Sequence, residues 1–130
     1  MDAATRPPYV DHMTPHDDTA AYHAFFMLVR ATNHWLALRP PQRFAFVTDV
    51  IGPILERHPD VSMRFFDSEA FSARVSDVVL WETADLLAYQ AVVEDLRETD
   101  FWGHYFEVVE ILASIENGYA RHYGVVPVGA

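Results

Sequence analysis

Charged side chains lie within apolar strand-like segments of this sequence, and their types suit proton transfer on a small molecule. Alternation along the strands places Arg64 and Asp77 on one face of two neighbouring strands. A charge within an apolar face is unfavourable unless it is paired, so we expect these two side chains to form an ion pair. His23 or Glu110 on the same face, or His104 in a loop, would carry the proton. The alternative is a structural ion pair at a sheet edge or a dimer interface.

A group of aromatic residues is a candidate floor for a flat, apolar ligand. His104 lies in the segment that joins the second predicted helix to the last strand, beside the expected cavity between sheet and helices. There it would be an acid, a base or a ligand to haem iron, although an exposed loop histidine is the more common case. Aromatic residues at these spacings are also typical of an ordinary core. The candidate pocket residues are Trp35, Phe66, Trp81, Trp102 and Tyr105.

The composition excludes several kinds of site. The 130 residues contain no cysteine, which excludes disulfides, thiolate catalysis and cysteine-bound metals. All nine basic residues are arginines, so no lysine can form a Schiff base. The motifs of serine hydrolases, zincins, phosphate-binding loops and dinucleotide-binding folds are also absent from the sequence. We therefore predict no metal site and no cofactor, with haem as the alternative.

The charge and hydropathy pattern predicts the compartment and excludes some partners. A net charge of −10 would repel the phosphates of a nucleic acid. No apolar run approaches the roughly 20 residues that a membrane span needs. The first six residues lack the basic start and apolar stretch of a secretion signal. We expect a cytoplasmic protein that binds neither nucleic acid nor membrane.

The elements that must position these side chains follow the order strand, helix, strand, twice over. Pro40 opens the first helix, Pro53 is expected to bend it, and Pro59 ends it. Thr83 is a plausible N-cap of the second helix. The connector at residues 32–39 and the tail after the last strand carry no predicted element. We predict strands at residues 22–31, 61–67, 74–82 and 105–115.

This order predicts a ferredoxin-like βαββαβ fold of the α+β class, with a four-stranded antiparallel sheet and two helices on one face. We expect strands one and three side by side and parallel in the centre, with strands two and four at the edges. The short segment 68–73 predicts a hairpin between strands two and three. The apolar run 25–29 indicates a strand that is buried on both faces. Since helices cover only one face of the sheet, the other apolar face is left uncovered. We therefore predict a homodimer in which two such faces pack together.

The chain length predicts one folded domain with its own core. Residues 1–20 are rich in proline and aspartate, which predicts a flexible leader. The domain is expected at residues 21–124, and residues 125–130 form a short tail.

Several segments resemble the darcynin family of small bacterial proteins. They are WLAL and PPQRFAF (35–38 and 40–46), VSMRFFD (61–67), FSARVSD (71–77), WETAD (81–85), EDLRET (94–99) and YFEV (105–108). The family has no established activity, so the resemblance implies no catalytic residue. At the level of fold it is similar to the dimeric α+β barrels. That superfamily includes cofactor-independent monooxygenases, polyketide cyclases, lactone isomerases and haem-handling enzymes, so the reaction stays open.

The leading hypothesis is a small-molecule enzyme for an apolar or aromatic substrate, with secondary metabolism as its setting. It would perform cofactor-free proton transfer, as an isomerase, cyclase or dehydratase, or cofactor-independent oxygenation. Arg64 would stabilise negative charge, Asp77 would orient Arg64, and His104 or His23 would move the proton. The alternatives are a non-catalytic small-molecule-binding or interaction module, and a haem-binding protein with His104 as ligand. The catalytic roles of Arg64 and Asp77 require that both side chains face an enclosed cavity.

Overall fold

Four strands form an antiparallel sheet in the computed structural model of this chain, which describes residues 22–129. Across the sheet their order is two, three, one, four. The predicted leader at residues 1–20 lies outside the described residues. The strands are β1 (His23–Ala31), β2 (Ser62–Asp67), β3 (Asp77–Thr83) and β4 (Phe106–Ile115).

The two central strands are β1 and β3, as predicted, but they run antiparallel, so the predicted parallel direction is wrong. The helical crossover brings β2 back in the same direction as β1 and leaves room for one strand between them. The hairpin at residues 68–76 then reverses the chain into β3, which fills that place and opposes both neighbours. The sheet is therefore antiparallel throughout, as the ferredoxin-like fold requires.

Helices cover one face of the sheet, and two short ones lie where no element was predicted. In the connector, the Thr32 hydroxyl caps the first short helix by accepting a hydrogen bond from the Trp35 N–H. Among the described residues, no helix combines the length and the apolar character needed to cross a bilayer. The helices are α1 (Asn33–Leu36), α2 (Pro40–Phe46), α3 (Gly52–Arg57), α4 (Leu86–Arg97) and α5 (Gly118–Tyr123).

A π-helical turn, Val47–Ile51, joins α2 to α3 into one long helical segment. The N–H of Gly52 donates to the carbonyl of Val47, five residues back, so this turn is wider than an α-helical one. Such widening makes room for the ring of Pro53, which would otherwise collide with the carbonyl of Asp49. The irregularity that Pro53 predicts therefore takes the form of a wider turn.

The cap of α4 is Asp85 rather than the predicted Thr83. Asp85 Oδ1 accepts hydrogen bonds from the N–H groups of Leu87 and Ala88, at 3.0 and 3.3 Å. Thr83 instead ends β3, and its hydroxyl accepts the N–H of Asp85 at 3.0 Å. The strand runs one residue further than predicted, so the cap shifts along the chain with it.

The core lies between the helices and the covered face of the sheet. Met27 and Val29 of β1 are fully buried there, as are Val92 and Leu96 of α4. Burial of each such side chain stabilises the fold by roughly 1.5–3 kcal/mol. The core therefore ties the sheet to α4 and leaves the far side of the sheet without a helix.

The register of β2 differs by one residue from the face assignment that alternation predicted. The pairs on the covered face are Met63–Trp81, Phe65–Val79 and Asp67–Asp77. Arg64 and Phe66 therefore lie on the open face, because a shift of one residue turns every side chain to the other side. A similar correction applies to Glu110, since the pairing of β4 with β1 skips Val109 and moves Glu110 to the open face.

Candidate functional site

A cavity of about 530 Å³ lies between the covered face of the sheet and the long helical segment of residues 40–57. Residues from α1, from that segment, from α4 and from all four strands contribute to its lining, which is mainly apolar. This volume and lining suit an apolar small molecule. The aromatic lining residues are Trp35, Phe44, Phe46, Phe65, Trp81, Phe101 and Phe106.

The loop between α4 and β4 builds one wall of this cavity. Gly103 has a φ of 89°, a left-handed conformation that suits glycine and lets the chain turn back on itself. The N–H of Tyr105 donates to the carbonyl of Asp100 at 2.8 Å and holds the loop closed. Phe101 and Phe106 are buried at the two ends of this loop, with their ring centroids 5.1 Å apart. The loop therefore presents a rigid aromatic wall.

Three carboxyl groups line the cavity at the hairpin end of the sheet. Asp67 ends β2 opposite Asp77, which begins β3, and Glu69 follows in the loop. One oxygen of each lies within 4.8 Å of the others. Asp77 is 7% exposed, whereas the other two are exposed. The Ser76 hydroxyl donates to Asp77 Oδ2 at 2.7 Å and accepts the N–H of Ala31 at 2.7 Å, which orients the buried carboxyl.

The environment of Asp77 favours its protonated form. Burial raises the pKa of Asp77 from 3.8 to about 6, against the hydrogen bond from Ser76, which lowers it. A hydrogen bond shared with Asp67 and the negative charges of Glu69 and Asp67 contribute to the same rise of the pKa. No ion pair among residues 22–129 includes Asp77. A carboxyl with a pKa near neutrality is suited to take up and release a proton.

The same three carboxyl groups could hold a divalent cation, since Mg²⁺ and Ca²⁺ prefer oxygen ligands. Two of the three are exposed, and exposed acidic groups are common without an ion. Nothing besides this clustering points to a metal. The expectation of a site without metal stays a prediction.

The predicted ion pair between Arg64 and Asp77 does not form, because the two side chains lie on opposite faces of the sheet. Arg64 Nη2 lies 3.0 Å from Glu82 Oε1, and its guanidinium lies 5.8 Å from the centre of the Phe66 ring. The proposed role of Arg64 in stabilising negative charge in the cavity is therefore wrong. Asp77 alone of the pair lines the cavity and stays a candidate catalytic residue.

Neither predicted histidine lines the cavity. His23 lies opposite Thr83 in the register, at the far end of β1 from the residue that pairs with Asp77. His104 is exposed, and its ring stacks on His34 with 4.3 Å between the ring centres. If a proton is transferred in this cavity, the group that carries it would therefore be Asp77 and not a histidine.

Haem bound in this cavity through His104 does not fit the lining. Haem iron takes histidine, cysteine, methionine or tyrosine side chains as axial ligands. The lining formed by the described residues includes Met63 but neither histidine nor tyrosine, and His104 lies outside it. The lining is therefore incompatible with haem held by His104.

Two of the five predicted pocket residues line the cavity, namely Trp35 and Trp81. Phe66 lies on the open face. Tyr105 packs edge-on against Trp35, with 5.3 Å between the ring centres, but is not part of the lining, and neither is Trp102. Most of the aromatic residues in the lining are therefore not the ones that were predicted.

Four polar lining residues were not among the predicted site residues: Arg43, Asp67, Glu69 and Ser76. Arg43 donates to the carbonyls of Trp35 and Leu36 at 3.1 and 3.0 Å, which holds α1 against α2. For Asp67 the predicted hairpin was misleading, because a third strand beginning at residue 74 would place Arg74 and not Asp77 opposite the end of the second strand. For Arg43 the sequence contained no signal, because only the packing of α2 places that side chain at the cavity.

The fold defines the class of protein. A putative chlorite dismutase aligns with 92% of this chain and 56% of its own, with a TM-score of 0.64 and 20% identity. A chlorite dismutase variant from Candidatus Nitrospira defluvii in complex with cyanide aligns with 85% of this chain and 44% of its own, with a TM-score of 0.64 and 13% identity. This chain spans about half the length of these proteins. At such identities the likeness shows the fold alone, an α+β fold that this chain shares with those proteins.

The chain belongs to the darcynin family. The sequence model of that family, described as Darcynin, domain of unknown function, matches residues 13–130. A darcynin homolog from Streptomyces avermitilis is 50% identical over 115 residues, which is 88% of this chain and 95% of that protein. Darcynin 1 from Acinetobacter baumannii is 39% identical over 88 residues, which is 67% of this chain and 98% of that protein. The resemblance found in the sequence segments is confirmed, and the family has no assigned activity.

Proposed function

We propose that this protein binds an apolar or aromatic small molecule in the cavity and transfers a proton on it through Asp77. The observation that carries the proposal is a buried carboxyl group with a raised pKa in the wall of a mainly apolar cavity. Such a group is poised to act as a general base and then as a general acid near neutral pH. The reaction class is that of an isomerase, cyclase or dehydratase.

The proton transfer involves only this chain and its substrate. Ionised Asp77 takes a proton from an O–H or an acidic C–H of the bound molecule, and its protonated form returns the proton to another atom. Ser76 keeps the carboxyl oriented, while Asp67 and Glu69 make release of the proton harder by their nearby charge. Oxygenation would share the first step but would also need dioxygen as a second substrate.

Arg43 takes the place of Arg64 as the group that stabilises negative charge on the substrate. Two of its guanidinium nitrogens donate to the carbonyls of Trp35 and Leu36, and a guanidinium has five N–H donors. The remaining donors are available at the cavity, which Arg43 lines. An anion that develops when Asp77 removes a proton would gain from this fixed positive charge.

The test begins with mass spectrometry of small molecules that the purified protein retains. Each retained compound is incubated with the protein in deuterium oxide, and proton exchange on the compound is followed by NMR. We expect Asp77→Asn to lower the exchange rate about 100-fold, because it removes the acid–base group. Asp60→Asn, which neutralises an exposed carboxylate in the turn before β2, should leave the rate unchanged.

A non-catalytic binding module is the second candidate, because the cavity walls are apolar and two of the three carboxyl groups are exposed. A binder would retain the same compounds but would exchange none of their protons faster than buffer does. Exchange at the buffer rate with both the original chain and Asp77→Asn would establish this alternative over the enzyme.

The open face of the sheet supports a homodimer. Phe26, Phe66 and Leu112 lie on this face, and 36%, 46% and 47% of their surfaces are exposed. A contiguous apolar patch on one side of a sheet is typical of an interface. A second copy of this chain offers the same patch, so two faces can bury each other about a twofold axis.

The cytoplasmic location predicted from the composition stays a prediction.

A further inference from the structure

The indole N–H of Trp81 is a buried hydrogen-bond donor that has no partner among the described residues. The side chain is 1% exposed and forms part of the cavity lining. Buried donors are nearly always paired, because an unpaired one is unfavourable. An acceptor from outside the chain would account for an indole at this position, where a phenylalanine ring would pack without that cost.

The hydroxyl of Thr83, two residues from Trp81 along β3 and on the same face, is engaged by the N–H of Asp85 at 3.0 Å. The cross-strand neighbours of Trp81 are Phe25 on one side and Met63 on the other, and both are apolar. The nearest carboxyl on the same strand and the same face belongs to Asp77, four residues away. At about 3.3 Å per residue, this separation is about 13 Å along the strand. Trp81 and Asp77 both line the cavity, and they are therefore about 13 Å apart along β3, with Asp77 at the hairpin end.

We propose that the cavity binds an elongated aromatic ligand that accepts a hydrogen bond from the Trp81 N–H at its inner end and presents a hydroxyl group to Asp77 at its outer end. This inference rests on the proposed function and adds the shape and polarity of the substrate to it. The three carboxyl groups would repel an anionic outer end. A hydroxyl donates to a carboxylate without bringing a second charge into the apolar cavity.

Three naphthalenes of matched shape test the inference. Hydroxyacetylnaphthalene carries a hydroxyl and an acetyl group at opposite ends of the ring system, ethylnaphthol replaces the acetyl by an ethyl group, and acetylnaphthalene lacks the hydroxyl. We expect hydroxyacetylnaphthalene to bind about tenfold more tightly than ethylnaphthol in calorimetric titrations, because only the acetyl oxygen meets the buried donor. In proton–nitrogen correlation spectra, the Trp81 indole signal should move downfield with the two acetyl compounds and not with ethylnaphthol.

Variants identify the residue responsible. Trp81→Phe should abolish the tenfold preference and leave ethylnaphthol binding within twofold, whereas Trp102→Phe, outside the cavity lining, should preserve the preference. The spectra of the original chain decide the question even if Trp81→Phe folds poorly. Equal affinity for hydroxyacetylnaphthalene and ethylnaphthol, or an unmoved Trp81 signal in the bound state, overturns this inference and leaves the proposed function intact. Failure of all three compounds to bind also overturns this inference, whereas the proposed function is overturned only by the exchange experiment with retained compounds.

Discussion

The two faces of the sheet each bury a carboxyl group, but they surround it with opposite chemistry. Glu82 on the open face is 5% exposed and lies 3.0 Å from the guanidinium of Arg64. Asp77 on the covered face is 7% exposed and meets a hydroxyl and two further carboxyl groups. A buried ion pair is a structural device, whereas a buried carboxyl without a cation weakens the fold and is typical of functional sites. The contrast therefore points to association on the open face and chemistry on the covered face.

The largest expected effect comes from two neighbouring phenylalanines that lie on opposite faces. Phe66→Asp places a charge on the open face, so we expect the dimer dissociation constant to rise at least about 100-fold. Phe65→Asp changes a residue of similar exposure that lines the cavity, so it should leave the dimer intact and weaken ligand binding. Sedimentation velocity over a concentration series measures both. A dimer that tolerates Phe66→Asp but not Phe65→Asp would reverse the assignment of the faces.

The ion pair on the open face provides the second test. Arg64→Ala leaves Glu82 buried without its cation, and we expect the free energy of unfolding to fall by about 2–3 kcal/mol. Arg74→Ala is the matched control, because Arg74 and Glu110 are both exposed and 3.9 Å apart, and such pairs contribute about 0–1 kcal/mol. Urea denaturation at pH 7 and one protein concentration compares them. Equal losses of unfolding free energy in the two variants would mean that the Arg64–Glu82 pair stabilises the fold no more than the exposed pair does.

Removal of the Asp77 charge should raise the free energy of unfolding, whereas Arg64→Ala lowers it, and the change should be smaller. Its pKa is about 6 in the folded chain and near 3.8 when unfolded, so the folded state binds the proton more tightly. The stability it contributes is fully present below pH 4 and is lost as the pH rises through 6. Asp77→Asn should therefore raise the free energy of unfolding by about 1–2 kcal/mol at pH 7.5 and by little at pH 4. A variant that is less stable than the original chain at pH 7.5 would contradict the unfavourable burial of this carboxylate.

The order of elements could be read from the sequence because its signals are local. Pro40 starts the long helical segment, as predicted from its missing N–H, and Pro53 follows the π-helical turn that accommodates it. The strands lie within a few residues of their predicted bounds, since apolar runs mark them. Two short helices were not predicted, because four to six residues carry too weak a periodic signal.

The candidate site was predicted only in part, and β2 shows why. Phe65 and Phe66 are equally apolar neighbours, so the alternation of this strand does not distinguish one face from the other. The prediction placed Arg64 beside Asp77 on that basis, and the pairing of Asp67 with Asp77 contradicts it. Asp77, Trp35 and Trp81 were among the predicted site residues and line the cavity, because their own strand or helix faces the core.

By itself the sequence determined the order of strands and helices, the family, and a sheet with one face left without helices, since these follow from apolar runs, prolines and the residues of single segments. Only the tertiary structure decided which carboxyl groups meet and which arginine lies at the cavity. The hairpin register brings Asp67 to Asp77, and the packing of α2 brings Arg43 to the lining. The hairpin register depends on the residue at which β3 begins, which its apolar run does not mark, and the packing of α2 depends on contacts between segments distant in sequence.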